Sequence, residues 1–73
     1  LDWYKDMPPE VQGILIEMVF QIGFSGVMKF RKMIAHMKDS NWKDAAFEML
    51  DSLWAKQTPS RANRLADIVR EHG

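Results

Sequence analysis

The most apolar stretch of the chain runs from position 14 to 22, ILIEMVFQI, where only Glu17 and Gln21 interrupt seven apolar residues. Apolar residues recur there at helical spacing and also occupy other sides, which predicts a helix that neighbours enclose on several faces. Glu17 and Gln21 are four residues apart and share the one face open to water or a polar partner. Nine residues fall short of the roughly 20 that cross a bilayer, so the pattern predicts a core helix and no membrane span.

The residues around this stretch predict where the helix begins and ends. Pro8 and Pro9 suit a first helical turn, and Asp6 just upstream is a candidate cap. Gly23 is the predicted end. Gly13 lies inside the helix at a cost of about 1 kcal/mol relative to alanine, which predicts that another helix crosses closely at this point.

Two further helices are predicted between positions 27 and 57. After a turn over 23–26, an apolar stripe from Val27 to Met37 indicates a second helix, in one or two pieces, that ends near Lys38. Asn41 is the predicted cap of a third helix that continues to Gln57. Its two apolar stripes, which predict that it is largely buried, comprise Trp42, Ala46, Met49 and Leu53, and Phe47, Leu50 and Trp54.

A last helix is predicted from Thr58 as its N-cap and Pro59 at its first helical position. Its apolar face consists of Ala62, Leu65, Ile68 and Val69. Nothing has the pattern of a strand, so the predicted class is all-α: a compact bundle of about four to six short helices around a central buried helix. The sequence predicts one domain over 1–73, in which 1–7 form a lead-in segment.

Composition narrows the function classes. The chain has 73 residues, no cysteine, and ten acidic residues that balance ten basic ones. Without cysteine there is no disulfide or thiolate metal site. A net charge of zero argues against a nucleic-acid partner and against a membrane surface. The chain begins with Leu1 and shows no secretory signal pattern, so we expect either a processed chain or a piece of a longer one.

The chemistry-bearing residues do not form a catalytic set. Ser25 in GFSGV lacks the second glycine and the strand of a nucleophile elbow, and His36 and His72 stand in no metal-binding motif. We predict no metal and no cofactor. Ten carboxylates are present, but no pair is identifiable that would flank a glycosidic bond. The chain alone is therefore predicted not to hydrolyse a glycan.

The segment from Ser52 to Arg64 gathers the remaining polar candidates. The indole of Trp54 needs an acceptor when it is buried, and the side chain of Gln21 can supply one. Arg61 lies in the first turn of the last helix, where a cation opposes the helix dipole and suggests an anionic partner outside the helix. The alternative is that Arg61 is simply a solvated surface arginine.

Several of these motifs together resemble the C-terminal helical lobe of phage-type lysozymes, the muramidases of the T-even phages. They are MVFQIG at 18–23, the following SGV, Phe30, Trp42 with DAA at 44–46, and LWAKQTPSRANR at 53–64. The resemblance extends without a gap from about Tyr4 to Arg70. Four residues depart from the family pattern around the first helix: Pro8, Pro9, Phe24 and Met28.

The resemblance implies a two-lobed enzyme whose catalytic Glu and Asp lie in an N-terminal lobe outside this sequence. It implies that Gln21 and Trp54 form a supporting pair behind the substrate cleft, and that Arg61 positions the catalytic Glu. Phe20, Gln57 and Thr58 are expected along the cleft wall. The expected partners are a peptidoglycan strand and the N-terminal lobe. The expected localisation is synthesis in the host cytoplasm and action on the cell wall in the periplasm.

Two other functions stay open. The chain lacks a catalytic pair, so a binding or inhibitory module that has kept the lobe without its chemistry is the first alternative. The second is a small helix-turn-helix DNA binder that uses Arg61, Arg64 and Arg70 of the last helix, against which the zero net charge argues.

Overall fold

The computed structural model describes residues 2–72, and these residues form helices and turns without a strand. A short 3-10 helix, Asp2–Asp6, is followed by α1 (Pro9–Met28), α2 (Arg31–Lys38), α3 (Trp42–Leu50), α4 (Leu53–Gln57) and α5 (Pro59–His72). The all-α class and the number of helices are as predicted. Leu1, at the start of the predicted lead-in, and Gly73 lie outside the described residues.

The lead-in segment is more ordered than its lack of a periodic pattern suggests. Its 3-10 helix is fixed to α1 by the side chain of Gln12, whose Nε2 donates to the carbonyl oxygens of Tyr4 and Met7 at 3.1 and 3.0 Å. Asp6 lies within this 3-10 helix and does not cap α1, so that prediction is wrong: the N-cap position is Pro8, which has no side-chain hydrogen bond to offer.

The first long helix, α1, is interrupted at Gly23, where the sequence predicts its end. Gly23 has φ 80° and ψ 164°, a backbone conformation that a residue with a Cβ rarely adopts. Helical geometry then resumes as far as Met28, and Phe30 precedes a separate α2. The predicted second helix is therefore in two pieces, which separate at Lys29 and Phe30, where Phe30 has the non-helical angles φ −78° and ψ 59°.

The predicted third helix is also divided, and here the prediction of one continuous helix to Gln57 is wrong. Ser52 provides the reason: its Oγ donates to the carbonyl oxygen of Met49 at 2.6 Å and accepts from the amide of Ala55 at 3.2 Å, so it closes α3 and caps α4. The break turns Leu53 outward, and Phe47 is exposed as well. Both had been expected on buried stripes.

The other predicted caps differ in detail. Asn41 occupies the N-cap position of α3, but its side chain accepts no hydrogen bond from a helix amide; its Nδ2 donates to the carboxylate of Asp44 at 2.7 Å. Thr58 directly precedes α5, and its carbonyl oxygen accepts from the amide of Ala62. Its hydroxyl donates backwards, to the carbonyl oxygen of Trp54 at 3.1 Å, and so holds α4 to α5.

The core lies between α3 and α5, which form the most extensive helix pair, with α2 packed on α3 and α4 on α5. Methionine fills much of this core, because its flexible side chain fits irregular gaps between short helices. The fully buried methionines are Met18, Met33, Met37 and Met49. No buried polar or charged residue is present among residues 2–72.

The helix α1 contributes one face to this core and not the whole of its surface. Val11, Leu15 and Met18 point inward and are almost inaccessible, whereas Ile16, Phe20 and Phe24 are exposed. The prediction of a helix enclosed on several faces therefore holds for one face only. Over Pro9–Met28 the helix is long and apolar enough to cross a membrane by length and composition, a test that core helices of soluble proteins also pass. That it does not span a membrane stays a prediction.

Candidate functional site

The polar edge of α1 is where the chain brings its candidate site residues together. Glu17 and Gln21, one turn apart, are hydrogen-bonded to α5 and to the start of α4, respectively. The carboxylate of Glu17 accepts a hydrogen bond from Arg64 of α5 at 2.9 Å, and the two form an ion pair. Side chains of three helices thus meet along this edge.

The expected hydrogen bond between Trp54 and Gln21 is present. The indole Nε1 of Trp54 donates to Oε1 of Gln21 at 2.9 Å, and the indole ring meets Phe30 edge-on with ring centroids 6.1 Å apart. An indole nitrogen can only donate, so this bond fixes the orientation of the amide of Gln21. Trp54 thereby joins α1 and α4. Whether the pair supports a substrate cleft stays a prediction.

The other end of the Gln21 amide is left without a partner. Its Nε2 is buried and has no hydrogen-bond acceptor within residues 2–72. A buried donor without an acceptor costs about 1–3 kcal/mol. The Nε2 group of Gln21 therefore needs one hydrogen-bond acceptor that residues 2–72 do not supply.

The three arginines of α5 differ in their partners. Arg64 pairs with Glu17, and Arg70 pairs with Asp67 on its own helix. Arg61 is exposed and has no carboxylate within ion-pair distance in the described part of the chain. It lies in the first turn of α5, where unpaired backbone N–H groups already make the helix end positive. Of these three guanidinium groups, Arg61 is the one without a carboxylate partner in residues 2–72.

The predicted cleft residues fall into three separate depressions. Thr58 and Arg61 line a shallow depression of about 350 Å³ together with Pro59 and Ser60. Gln57, at the end of α4, lies in a larger groove of about 550 Å³ beside Trp54. Phe20 lies in neither; it lines an apolar hollow on the outer side of α1. The structure therefore brings Thr58 and Arg61 together and sets Phe20 apart from them.

Two groups of residues in and near these depressions were not predicted from the sequence. The large groove has a cationic rim, Lys29, Arg31 and Lys32, and carboxylates of Glu48 and Asp51 on its lining. The sequence spacing of these five residues does not show that they border one groove, because it does not show that α2 packs against α3. The other group is His72, which pairs with Glu10 and packs edge-on against Trp42. It joins the end of α5 to the start of α1.

No cluster of three potential metal ligands exists among residues 2–72. His36 lies near the amide of Asn41, with Nδ1 and Nδ2 3.4 Å apart. The side chains of Gln57, Thr58 and Arg61 are hydrogen-bonding and cationic groups, which can bind and orient an anion or a hydrogen-bond acceptor.

Comparison with known proteins supports the resemblance drawn from the motifs. The chain is 37% identical over 65 residues to "Probable T4-type lysozyme 2" and 35% identical over 66 residues to "Probable T4-type lysozyme 1", both of Dictyostelium discoideum. It is 41% identical over 58 residues to "Pre-baseplate central spike protein Gp5" of Enterobacteria phage T4. No family model matches the chain, and no solved structure matches it.

These matches cover 89%, 90% and 80% of the chain, respectively. They show that the chain is similar to a region of T4-type lysozymes. The match covers 38% and 39% of the two Dictyostelium proteins and 10% of Gp5, so the chain spans about two fifths of the length of the lysozymes it resembles.

Proposed function

We propose that this chain is the helical lobe of a peptidoglycan-cleaving lysozyme, which forms one wall of the glycan cleft and positions a catalytic Glu supplied by another segment. The observation that carries the proposal is the state of Arg61. It occupies the arginine position of the Q-T-P-x-R motif, it is exposed, and no carboxylate within residues 2–72 pairs with it. A carboxylate from outside this range would pair with it.

The guanidinium group of Arg61 is better suited to orienting a carboxyl group than to assisting proton transfer from it. A guanidinium presents a planar fork that matches a carboxylate with two parallel hydrogen bonds. A neighbouring arginine lowers the pKa of a carboxyl group, whereas a general acid benefits from a raised pKa. The role proposed for Arg61 is therefore to hold the catalytic Glu in place across the cleft and to stabilise the closed arrangement of the two lobes.

The remaining wall of the cleft would come from Thr58 and Gln57. Thr58 shares a depression with Arg61, and Gln57 offers an exposed amide beside the large groove. Both side chains can hydrogen-bond to the hydroxyl and acetamido groups of a peptidoglycan strand. Gln21 and Trp54 would stand behind this wall and fix its position. Action on the cell wall after synthesis in a host cytoplasm is part of the same proposal.

The ion pairs of α5 favour this proposal over a DNA-binding function. Arg64 and Arg70 are each neutralised by a neighbouring carboxylate, which reduces the positive charge that this helix would offer to phosphates. A non-catalytic binding module is the stronger alternative. It is favoured by the lack of an identifiable carboxylate pair in the sequence, and activity measurements separate it from the lysozyme proposal.

The test is a hybrid enzyme in which this chain replaces the segment of Probable T4-type lysozyme 2 that it matches. Clearing of purified cell walls measures activity, and circular dichroism confirms folding. Loss of a charged hydrogen bond costs about 1.5–3 kcal/mol, so Arg61→Ala should slow clearing roughly 10- to 100-fold. Arg64→Ala and Arg70→Ala are the controls and should change the rate less than about threefold, since exposed ion pairs contribute little.

Equal losses for all three arginine variants would contradict the role given to Arg61. A folded hybrid without activity that still binds cell walls would favour the binding module. The unmodified chain should leave cell walls intact by itself.

A further inference from the structure

Glu17 is the one acidic residue in the apolar stretch of α1. In the segment 14–22 only Glu17 and Gln21 are polar, and Gln21 is explained by its hydrogen bond with Trp54. Glu17 instead pairs with Arg64, from which its Oε2 accepts a hydrogen bond at 2.9 Å. The two side chains are 41% and 56% exposed, respectively. Exposed ion pairs contribute little to folding, so stability alone does not explain a carboxylate at this position.

The position of Arg64 on α5 gives the pair a second consequence. Arg61 and Arg64 are three residues apart on this helix, so their side chains are neighbours, with Cβ atoms about 5–6 Å apart. The long side chains of two arginines so placed can reach the same carboxylate. A carboxylate that pairs with Arg61 therefore also meets Arg64, unless Arg64 already has a partner. Glu17 is that partner.

The number of unpaired arginines matters for the chemistry, because a general acid has to hold its proton until it transfers it. Each guanidinium beside a carboxyl group favours the ionised form and lowers its pKa. One arginine is enough to orient the catalytic Glu. A second would lower the pKa of that carboxyl group further and compete with Arg61 for its oxygen atoms. Among residues 2–72 the structure has the favourable arrangement, in which Arg64 is paired and Arg61 is not.

We propose that Glu17 is a positioning residue of the enzyme, which binds Arg64 and so leaves the catalytic Glu to Arg61 alone. This inference rests on the proposed function and adds a residue of α1 to it. Glu17 does not contact the reacting atoms and acts through the charge and the position of Arg64. Its removal should therefore change the pH dependence of the reaction, which the loss of a merely structural contact would leave unchanged.

The pH dependence of cell-wall clearing by the hybrid enzyme tests the proposal. The initial rate at low cell-wall concentration falls with rising pH as the general acid loses its proton. Glu17→Gln releases Arg64, which lowers the pKa of the catalytic Glu. This alkaline limb of the profile should therefore move about 0.3–0.5 pH unit toward lower pH, as expected for one added charge nearby in water.

Two variants separate this role from a general effect of charge. Glu71→Gln makes the same change in charge near the other end of α5, about 15 Å along the helix from Arg61, and should leave the limb in place. Glu17→Gln combined with Arg64→Gln removes the released guanidinium and should return the limb to its original pH. Arg64→Ala alone keeps one arginine beside the catalytic Glu, in line with the small change expected of it above.

The outcomes separate this inference from the proposed function. An unmoved limb in a folded, active Glu17→Gln hybrid would overturn the inference, and so would a shift that persists when Arg64 is replaced as well. If Arg61→Ala then still slows clearing, the proposed function stands without a role for Glu17.

A folded hybrid that does not clear cell walls would contradict the proposed function, and a second measurement then decides the inference. Carbon-13 NMR follows the titration of the catalytic Glu directly in the hybrid and in its Glu17→Gln variant. The same shift toward lower pH, reversed by Arg64→Gln, would support the role of Glu17. An unchanged titration would overturn it.

Discussion

The two faces of α1 have similar composition and opposite surroundings. On the inner face Val11, Leu15 and Met18 are inaccessible to solvent, while on the outer face Ile16 and Phe20 are exposed. Both faces carry large apolar side chains at helical spacing, so composition does not distinguish them. The difference shows that an apolar pattern indicates where contacts are needed and leaves open which molecule provides them. The inner face is covered by this chain, whereas the outer face is left exposed by residues 2–72.

The largest expected effect concerns the border between the two faces, where Trp54 meets Gln21. Trp54→Ala should destabilise the chain by about 3–5 kcal/mol, since it leaves a cavity under Phe30 and strands the amide of Gln21. Urea unfolding followed by circular dichroism measures this. Trp54→Phe is the control, because it retains most of the volume and loses only the hydrogen bond. A midpoint unchanged by Trp54→Ala would contradict the anchoring role of the indole.

The next prediction compares the faces directly. Met18→Ala on the inner face should cost about 2–5 kcal/mol, because truncation of a fully buried methionine leaves a cavity. Phe20→Ala on the outer face should change stability of the isolated chain by less than about 0.5 kcal/mol, as exposed positions usually do. Unfolding midpoints of the two variants in urea provide the measurement. Similar losses for both would mean that the outer face is already covered in the isolated chain.

The sequence alone predicts the fold class and most helix boundaries. Boundaries set by a residue's own backbone preference were accurate: Gly23 interrupts α1, and Pro59 begins α5. The missed boundary was Ser52, whose hydroxyl closes one helix and caps the next. That dual role depends on the positions of Met49 and Ala55 in space, and serine is common in many other contexts.

The sequence predicts one of the two contacts that join α1 to α4 and α5 at the candidate site. The hydrogen bond between Trp54 and Gln21 could be predicted, since each side chain has a polar group among apolar neighbours and needs a hydrogen-bond partner. The pairing of Glu17 with Arg64 was not predicted, because 47 residues separate them and only the packing of α1 on α5 brings them together. Arg64 has this carboxylate partner and Arg70 has Asp67, so Arg61 is the one arginine of α5 without a carboxylate partner among residues 2–72.

The smallest effect is expected at Gly13, and its sign depends on context. In the isolated chain a Cβ at this position meets no atom within 4 Å, so Gly13→Ala should stabilise the helix by about 0.5–1 kcal/mol through the lower backbone entropy of the unfolded state. If the helix that Gly13 predicts to cross closely is supplied by the rest of the hybrid enzyme, the same methyl group would lie under that helix. Closely packed helices accommodate an added methyl poorly, and there Gly13→Ala should lose the gain or destabilise. Thermal unfolding of both proteins measures the two values, and an equal stabilisation in both would show that no helix approaches closely at Gly13.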